Sequence, residues 1–173
     1  MDGDKRRKEI LKLLKISEEP ISGTVLAKNM EVSRQVIVQD IALLRATNKN
    51  ILSTNKGYVI YGQQSGTATY KRIIAVKHSD EQMKDELYTI VDHGAKLLDV
   101  VVEHEVYGQI AADLFISSRR DVDEFIEKIS NHIAKPLKYL TGDVHYHTIE
   151  ASDETILDKT ELILREKGYL ILP

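Results

Sequence analysis

Six histidines and no cysteine make imidazole the side chain on which chemistry in this sequence would turn. His145 and His147 stand two apart in Asp143–Glu150, an alternating run that predicts a strand. Side chains at i and i+2 of a strand share one face, so both rings project the same way, a spacing suited to two metal ligands. His78 ends another predicted strand, Arg72–Lys77, on the side of Ile74 and Val76. It directly precedes Ser79, whose spacing to Gln82 is that of a capping box. In the helix that follows, Glu86 falls on or beside the apolar stripe Met83, Leu87, Ile90, Val91. A carboxylate placed there needs a partner, because burying it bare is costly.

A cation would be such a partner. If the first and last strands of the domain approach each other, His78, Glu86, His145 and His147 converge. Three imidazoles and a carboxylate suit zinc, nickel, iron(II), cobalt or manganese, with coordination positions left for water or a ligand. On spacing alone the alternatives stay open: a strand histidine pair can be a half-exposed, hydrogen-bonded face, and Glu86 can pair with a lysine.

The elements that must position these residues run from Tyr70 onward as alternating strands and helices. Strands are predicted at Arg72–Lys77, Lys96–Glu103, Gln109–Phe115, Asp143–Glu150 and Tyr169–Leu172, and helices at Asp80–Val91, Asp121–His132 and Asp153–Lys167. The order βαββαβαβ begins with the split βαβ pattern of ferredoxin-like folds and appends an αβ unit. His93 and His132 fall at predicted helix C-termini, where imidazole complements the helix dipole.

Residues 1–62 read differently. Ser22 is a candidate N-cap for a short helix with Val25, Leu26 and Met30 apolar, and after Glu31-Val32 a second helix is capped by Ser33. Ile37, Ile41 and Leu44 form its buried stripe. Ser33, Arg34, Gln35, Val38, Gln39 and Arg45 are left for solvent, a polar set with little acidity apart from Asp40. A short hairpin follows, Ile51–Thr54 and Tyr58–Ile60, with Lys56 at its tip. This is the pattern of a winged helix-turn-helix, whose second helix fits the major groove while Lys56 suits a phosphate. Helix-turn-helix geometry also occurs in proteins that bind only protein. Charge favours nucleic acid: residues 1–62 carry eleven Lys+Arg against seven Asp+Glu, and the remainder thirteen against twenty, within a total of 24 against 27. A basic head thus precedes an acidic body. Lys5, Arg6, Arg7 and Lys8 add a basic start that is otherwise a solvated run.

The 173 residues, 42% of them apolar, suffice for two small cores. Gln63–Thr69 lacks apolar periodicity and reads as a linker, giving domains 1–62 and 70–173 and an α/β (α+β) class. Without cysteine there is no disulfide or thiolate site, which suits a reducing cytoplasm. No apolar run is long enough to cross a membrane, and no signal-peptide core follows the charged start.

Taken together, the segment Val32–Arg45, Glu103–Gly108 and His145–Ile149 resembles the niacin-responsive bacterial transcriptional repressors, which pair a helix-turn-helix with a three-histidine (3H) domain; the resemblance spans essentially the whole chain. It implies a homodimeric, cytoplasmic repressor of NAD-synthesis and niacin-uptake genes that binds double-stranded operator DNA, with nicotinic acid as co-repressor. It also implies one divalent metal per subunit, held by the residues matching the family pattern, His78, Glu86, His145 and His147. For the effector, His104, Tyr107 and Gly108 are candidates. So are Arg119 and Arg120, which open a helix where N–H groups and positive charge favour an anion; a capped, solvated helix start is their alternative. Two other functions use the same residues: a sensor of another small acid or of the metal itself, and a metal-dependent hydrolase with Glu86 as base. Against the hydrolase, no further carboxylate or oxyanion-donor motif lies near the ligands.

Overall fold

A computed structural model describes residues 2–47, 50–62 and 68–171. The chain divides into two compact units, Met1–Gly66 and Thr67–Pro173. The expected linker Gln63–Thr69 straddles that division, and residues 63–67 lie outside the described set.

The first unit is α1 (Gly3–Ile16), α2 (Gly23–Asn29), α3 (Arg34–Thr47), β1 (Ile51–Ser53) and β2 (Tyr58–Ile60). Both expected caps form: Ser22 Oγ accepts from the Val25 N–H at 3.2 Å and Ser33 Oγ from the Val36 N–H at 3.3 Å. Ile37, Ile41 and Leu44 are buried against Ile10, Leu14 and Leu26. Val25 departs from its expected stripe and is half exposed, whereas Leu26 and Met30 are buried. The two-stranded hairpin is tied back to the start of α2 by reciprocal 2.9 Å backbone bonds between Ile21 and Tyr58. Gly57, at φ +144°, permits this, since a Cβ there would meet the Ile21 carbonyl oxygen at 2.3 Å.

The second unit is β3 (Tyr70–Lys77), α4 (Asp80–Asp92), β4 (Lys96–His104), β5 (Gly108–Ile116), α5 (Arg119–Ser130), a short 3-10 helix (Leu137–Thr141), β6 (Val144–Ala151) and α6 (Glu154–Glu166). The sheet order is β3-β6-β4-β5 with every pair antiparallel. Each crossover, β3-α4-β4 and β5-α5-β6, passes over one intervening strand, so the split βαβ pattern holds. The strand order nevertheless corrects the ferredoxin-like expectation. That fold centres its first and third strands, whereas here the second and fourth are central. Burial accounts for the choice. β6 is the most continuously buried strand, while β3 carries exposed Lys71 and Lys77 and β5 begins with exposed Gln109, as suits edges. The last expected strand, Tyr169–Leu172, reduces to a single Leu170–Val76 bridge, with Leu172 outside the described residues.

The core gathers Ile74, Val76, Leu97, Ile116 and Ile149 of the sheet with Leu87, Ile90, Val122, Leu157 and Leu164 of the helices. The open face of the sheet leaves Ile73 71% exposed. Val76 pairs with His145 and Ile74 with His147, so both histidines point into the helix-covered face.

Candidate metal centre and nucleic-acid face

The structure brings together His78, one residue past β3, Glu86 of α4, and His145 and His147 of β6; all four are buried. His78 Nε2 lies 2.8 Å from Glu86 Oε2 and 3.2 Å from His145 Nε2, and His147 Nε2 lies 3.3 Å from Glu86 Oε1. One ligand atom from each of His78, Glu86 and His145 falls within 4.8 Å of the others. With ligand bonds of roughly 2.0–2.1 Å, donors 90–110° apart are separated by about 3.0–3.4 Å, so these spacings fit one small cation.

Proton placement strengthens the fit. Each ring directs Nδ1 at a backbone carbonyl: His78 at Ser79 (2.8 Å), His145 at Asp143 (2.8 Å) and His147 at Asp99 (2.7 Å). A carbonyl only accepts, so each Nδ1 carries a proton, and in the neutral ring each Nε2 presents a lone pair inward. Both Glu86 oxygens are buried without a hydrogen bond. Three lone pairs facing a buried carboxylate repel one another unless something positive stands between them. Burial alone pushes the Glu86 carboxyl up, yet His147 and His78 hold it well below the usual carboxylate range. Burial lowers His78, but Glu86 raises it on balance. Burial and the neighbouring His147 push His145 down to about 4. Protons on His78 and His147 could meet the carboxylate but would leave His145 unsatisfied, whereas a divalent cation between His78, Glu86 and His145 would meet all three.

The surrounding shell was only partly visible in the sequence. A register shift in β4 against β6, between Leu97 and Val101, frees Asp99 from the ladder. Its carbonyl accepts from His147 and its carboxylate accepts from the Thr148 N–H at 2.7 Å and hydroxyl at 2.9 Å. Sequence reasoning passed over Asp99, although a carboxylate inside KLLDVVVE was itself the signal. Lys138, buried beside the centre, carried no comparable signal, because nothing in its neighbourhood predicts burial.

His104 has the opposite tautomer. Its Nδ1 accepts from the N–H groups of Val106 (3.1 Å) and Tyr107 (3.3 Å), which leaves Nε2–H as a donor. Tyr107 packs its ring 5.0 Å from that of His104, and Gly108 opens β5 at φ +73°. A groove of about 440 Å³ is lined by Glu103, His104, Glu105, Gly108 and Gln109. A second, of about 650 Å³, joins the same hairpin to Leu140, Thr141 and Gly142. At Arg119 and Arg120, the expected anion site, both guanidinium groups pair with carboxylates of the protein. Arg119 is held by Asp92 at 2.7 and 2.6 Å and lies over the Tyr88 ring, Arg120 meets Glu124 at 3.0 Å, and Asp121 Oδ2 accepts from the Ser117 and Ser118 N–H groups. His93 and His132 each direct Nδ1 at the carbonyl four residues back, closing their helices.

On α3, Ser33, Arg34, Gln35, Gln39 and Arg45 are all exposed, and Lys56 is half-buried in the hairpin turn. Asp40 is not on this face. It is buried, accepting from Arg6 Nε at 2.6 Å and Arg7 at 3.1 Å. The one acidic group is thereby removed from the polar face of α3, and two cations of the N-terminal run are engaged inside the unit. Among the described residues no helix is long and apolar enough to cross a membrane.

Comparison with known proteins agrees with this architecture. A 3H domain matches residues 71–172 and a helix-turn-helix domain residues 6–59. A probable transcription repressor NiaR of Thermotoga maritima is 45% identical over 166 residues, 96% of this chain and 93% of the relative. Transcription repressor NadR of Bacillus subtilis is 45% identical over 172 residues, 98% of this chain and 94% of the relative. These relatives are transcription repressors rather than enzymes. A buried three-histidine cluster in one unit, an exposed recognition helix in the other and identity at this level along nearly the full chain place the protein in the NiaR/NadR family of 3H-domain transcription repressors.

Proposed function

We propose that this chain is a niacin-responsive repressor: a cytoplasmic homodimer that binds operator DNA of NAD-synthesis and niacin-transport genes, with nicotinic acid as co-repressor and one divalent transition metal per subunit. The observation that carries the metal reading is the orphaned Glu86 carboxylate facing the Nε2 atoms of three imidazoles whose Nδ1 atoms are each taken up by a backbone carbonyl. The metal, when bound, supplies a Lewis-acidic coordination position able to take a carboxylate or ring nitrogen. His78, Glu86, His145 and His147 hold it.

The chain's own groups supply the remaining recognition. His104, with Nε2–H left as a donor, lines a groove whose charged lining, Glu103 and Glu105, repels a carboxylate. That groove therefore suits a ring nitrogen better than an acid group, with Tyr107 and Gly108 shaping its edge. Arg119 and Arg120 are the weaker candidates for the effector carboxylate, because each is already paired with a carboxylate of the protein. In the DNA-binding domain, residues 1–62, Arg34, Gln35 and Gln39 read base edges from α3. Ser33, Arg45 and Lys56 contact the backbone. Residues 70–173 form the effector and dimer domain. Two recognition helices are needed because one reads too few base pairs, and a dimer reads a two-fold site. An effector that binds the DNA-competent arrangement more tightly must raise DNA affinity by the same factor.

The test is operator binding by the metal-loaded protein, titrated with nicotinic acid and with nicotinamide as control. Tightening by the acid alone supports the proposal. Tightening by metal without either compound identifies a metal sensor instead.

A further inference from the structure

Lys138 is buried to 3% exposure, an unusual place for an ammonium group, and it lies beside the metal centre. Its three N–H donors meet three acceptors: the His78 carbonyl at 3.3 Å, Asp143 Oδ1 at 2.6 Å and Asp80 Oδ1 at 2.8 Å. All three belong to segments that carry metal ligands. The His78 carbonyl is the ligand's own backbone. Asp143 offers its carbonyl to His145 Nδ1 while its carboxylate holds the lysine. The third, Asp80, opens α4, the helix that carries Glu86, and also accepts from the Tyr139 hydroxyl.

The backbone at Asp143 benefits from such a hold. Gly142 and Asp143 are consecutive residues at φ +60° and +70°, a left-handed region that aspartate enters more readily than most residues but still at a cost its surroundings offset. The Asp143 N–H donates to the Lys138 carbonyl at 2.9 Å, so lysine backbone and side chain grip the same residue. That conformation aims the Asp143 carbonyl at His145. Burial lowers the Lys138 ammonium, but Asp143 and Asp80 raise it on balance, so it stays charged beside the centre. The two carboxylates more than neutralise it, so the clasp presents no net positive charge to a metal ion.

We infer that Lys138 is a positioning residue of the metal centre, a clasp from the 3-10 helix that fixes the β3–α4 junction and the β6 entry in the geometry that aims His78, Glu86 and His145 at one point. This rests on the metal reading above. Loss of an outer partner of a metal ligand typically weakens binding about tenfold to a hundredfold. Lys138→Met keeps the apolar stem and removes all three donors.

The experiment loads the full-length protein with cobalt(II) and records its visible spectrum and its release rate into excess chelator, with circular dichroism on the metal-free form to establish folding. Lys138→Met that folds yet releases cobalt about tenfold or more faster, with a shifted spectrum, supports the clasp. A folded variant with wild-type spectrum and release rate overturns it while leaving the metal reading standing. A wild-type protein that takes up no cobalt overturns both. Should Lys138→Met fail to fold, Asp80→Asn, at a half-exposed partner, is the deciding variant: faster release than wild type supports the clasp and an unchanged rate overturns it.

Discussion

The metal centre and the recognition face solve opposite problems with polar side chains. At the candidate metal centre, every imidazole Nδ1 is spent on a carbonyl and the Nε2 and carboxylate atoms are withdrawn from water. On α3, Arg34, Gln35, Gln39 and Arg45 stay exposed, and their hydrogen-bonding capacity is met by solvent until a larger surface displaces it. A preorganised, desolvated cluster selects an ion by geometry. An exposed set on a rigid helix selects a macromolecule by the pattern of its edges. Asp40 shows the division inside one helix, its charge turned inward onto Arg6 and Arg7 so that the outward face stays free of acid.

The sharpest way to separate the two regions is to remove one ligand. His147→Ala should weaken metal binding by about 3 kcal/mol, roughly a quarter of what a four-ligand structural site supplies. Effector-free DNA binding should be untouched. Metal affinity by competition with a chromophoric chelator, and DNA affinity by anisotropy, report the two. Equal metal affinity in the variant would remove His147 from the site. The converse substitution, Arg34→Ala, should cost about 1–3 kcal/mol in operator binding if the guanidinium reads a base edge, with metal affinity unchanged. A uniform loss across unrelated DNA sequences would instead assign Arg34 to phosphate.

Protons probe the same division more gently. In the metal-free protein His78 titrates above its ordinary value of 6.5, so its contribution to stability is complete below pH 6.5 and is lost as pH rises through the raised value. His145, lowered to about 4, acts in the other window: stability rises with pH between about 4 and 6.5. Glu86, held low, contributes above its ordinary value of 4.5 and loses that contribution on acidification. These three groups therefore give the metal-free domain its greatest stability near pH 6.5. A bound cation competes with the same protons and gains as they leave. The stability gap between metal-loaded and metal-free protein should widen from pH 6 to 8 by up to about 1.4 kcal/mol per pH unit for each proton displaced. Thermal denaturation of both forms across that range measures it. A constant gap would mean that the ligands lose no proton on binding.

Much of this was legible in the sequence, for identifiable reasons. Apolar periodicity set helix and strand positions to within a residue or two, and the i, i+2 spacing of His145 and His147 fixed their shared face before any strand was paired. Glu86 stood out because a carboxylate on an apolar stripe demands a partner. Strand order did not follow from the same signals, since βαββαβ is compatible with either pair of strands at the centre and relative burial decides between them. Asp40 read as exposed because its partners lie 33 and 34 residues away on α1, a separation that local pattern does not encode. Lys138 was invisible for the same reason, its acceptor on His78 being 60 residues distant.

The smallest expected effect bears on what an exposed charge signifies. Arg120 is 87% exposed in its side chain and pairs with Glu124 one helical turn along. Exposed pairs at this spacing contribute about 0.3–0.5 kcal/mol. Arg120→Ala should therefore shift stability by no more than about that amount and leave nicotinic acid binding unchanged. From sequence, the same arginine at a helix start looked like an anion receptor. In the structure Asp121 takes the N–H groups of Ser117 and Ser118, the Ser118 hydroxyl takes that of Asp121, and Asp92 and Glu124 meet the guanidinium charges. A guanidinium already paired with a carboxylate gains less from an added anion than a free one does. Calorimetric titration with nicotinic acid decides the matter: a severalfold loss of affinity in Arg120→Ala would show that these pairs open for the effector, and would move the effector site to the start of α5.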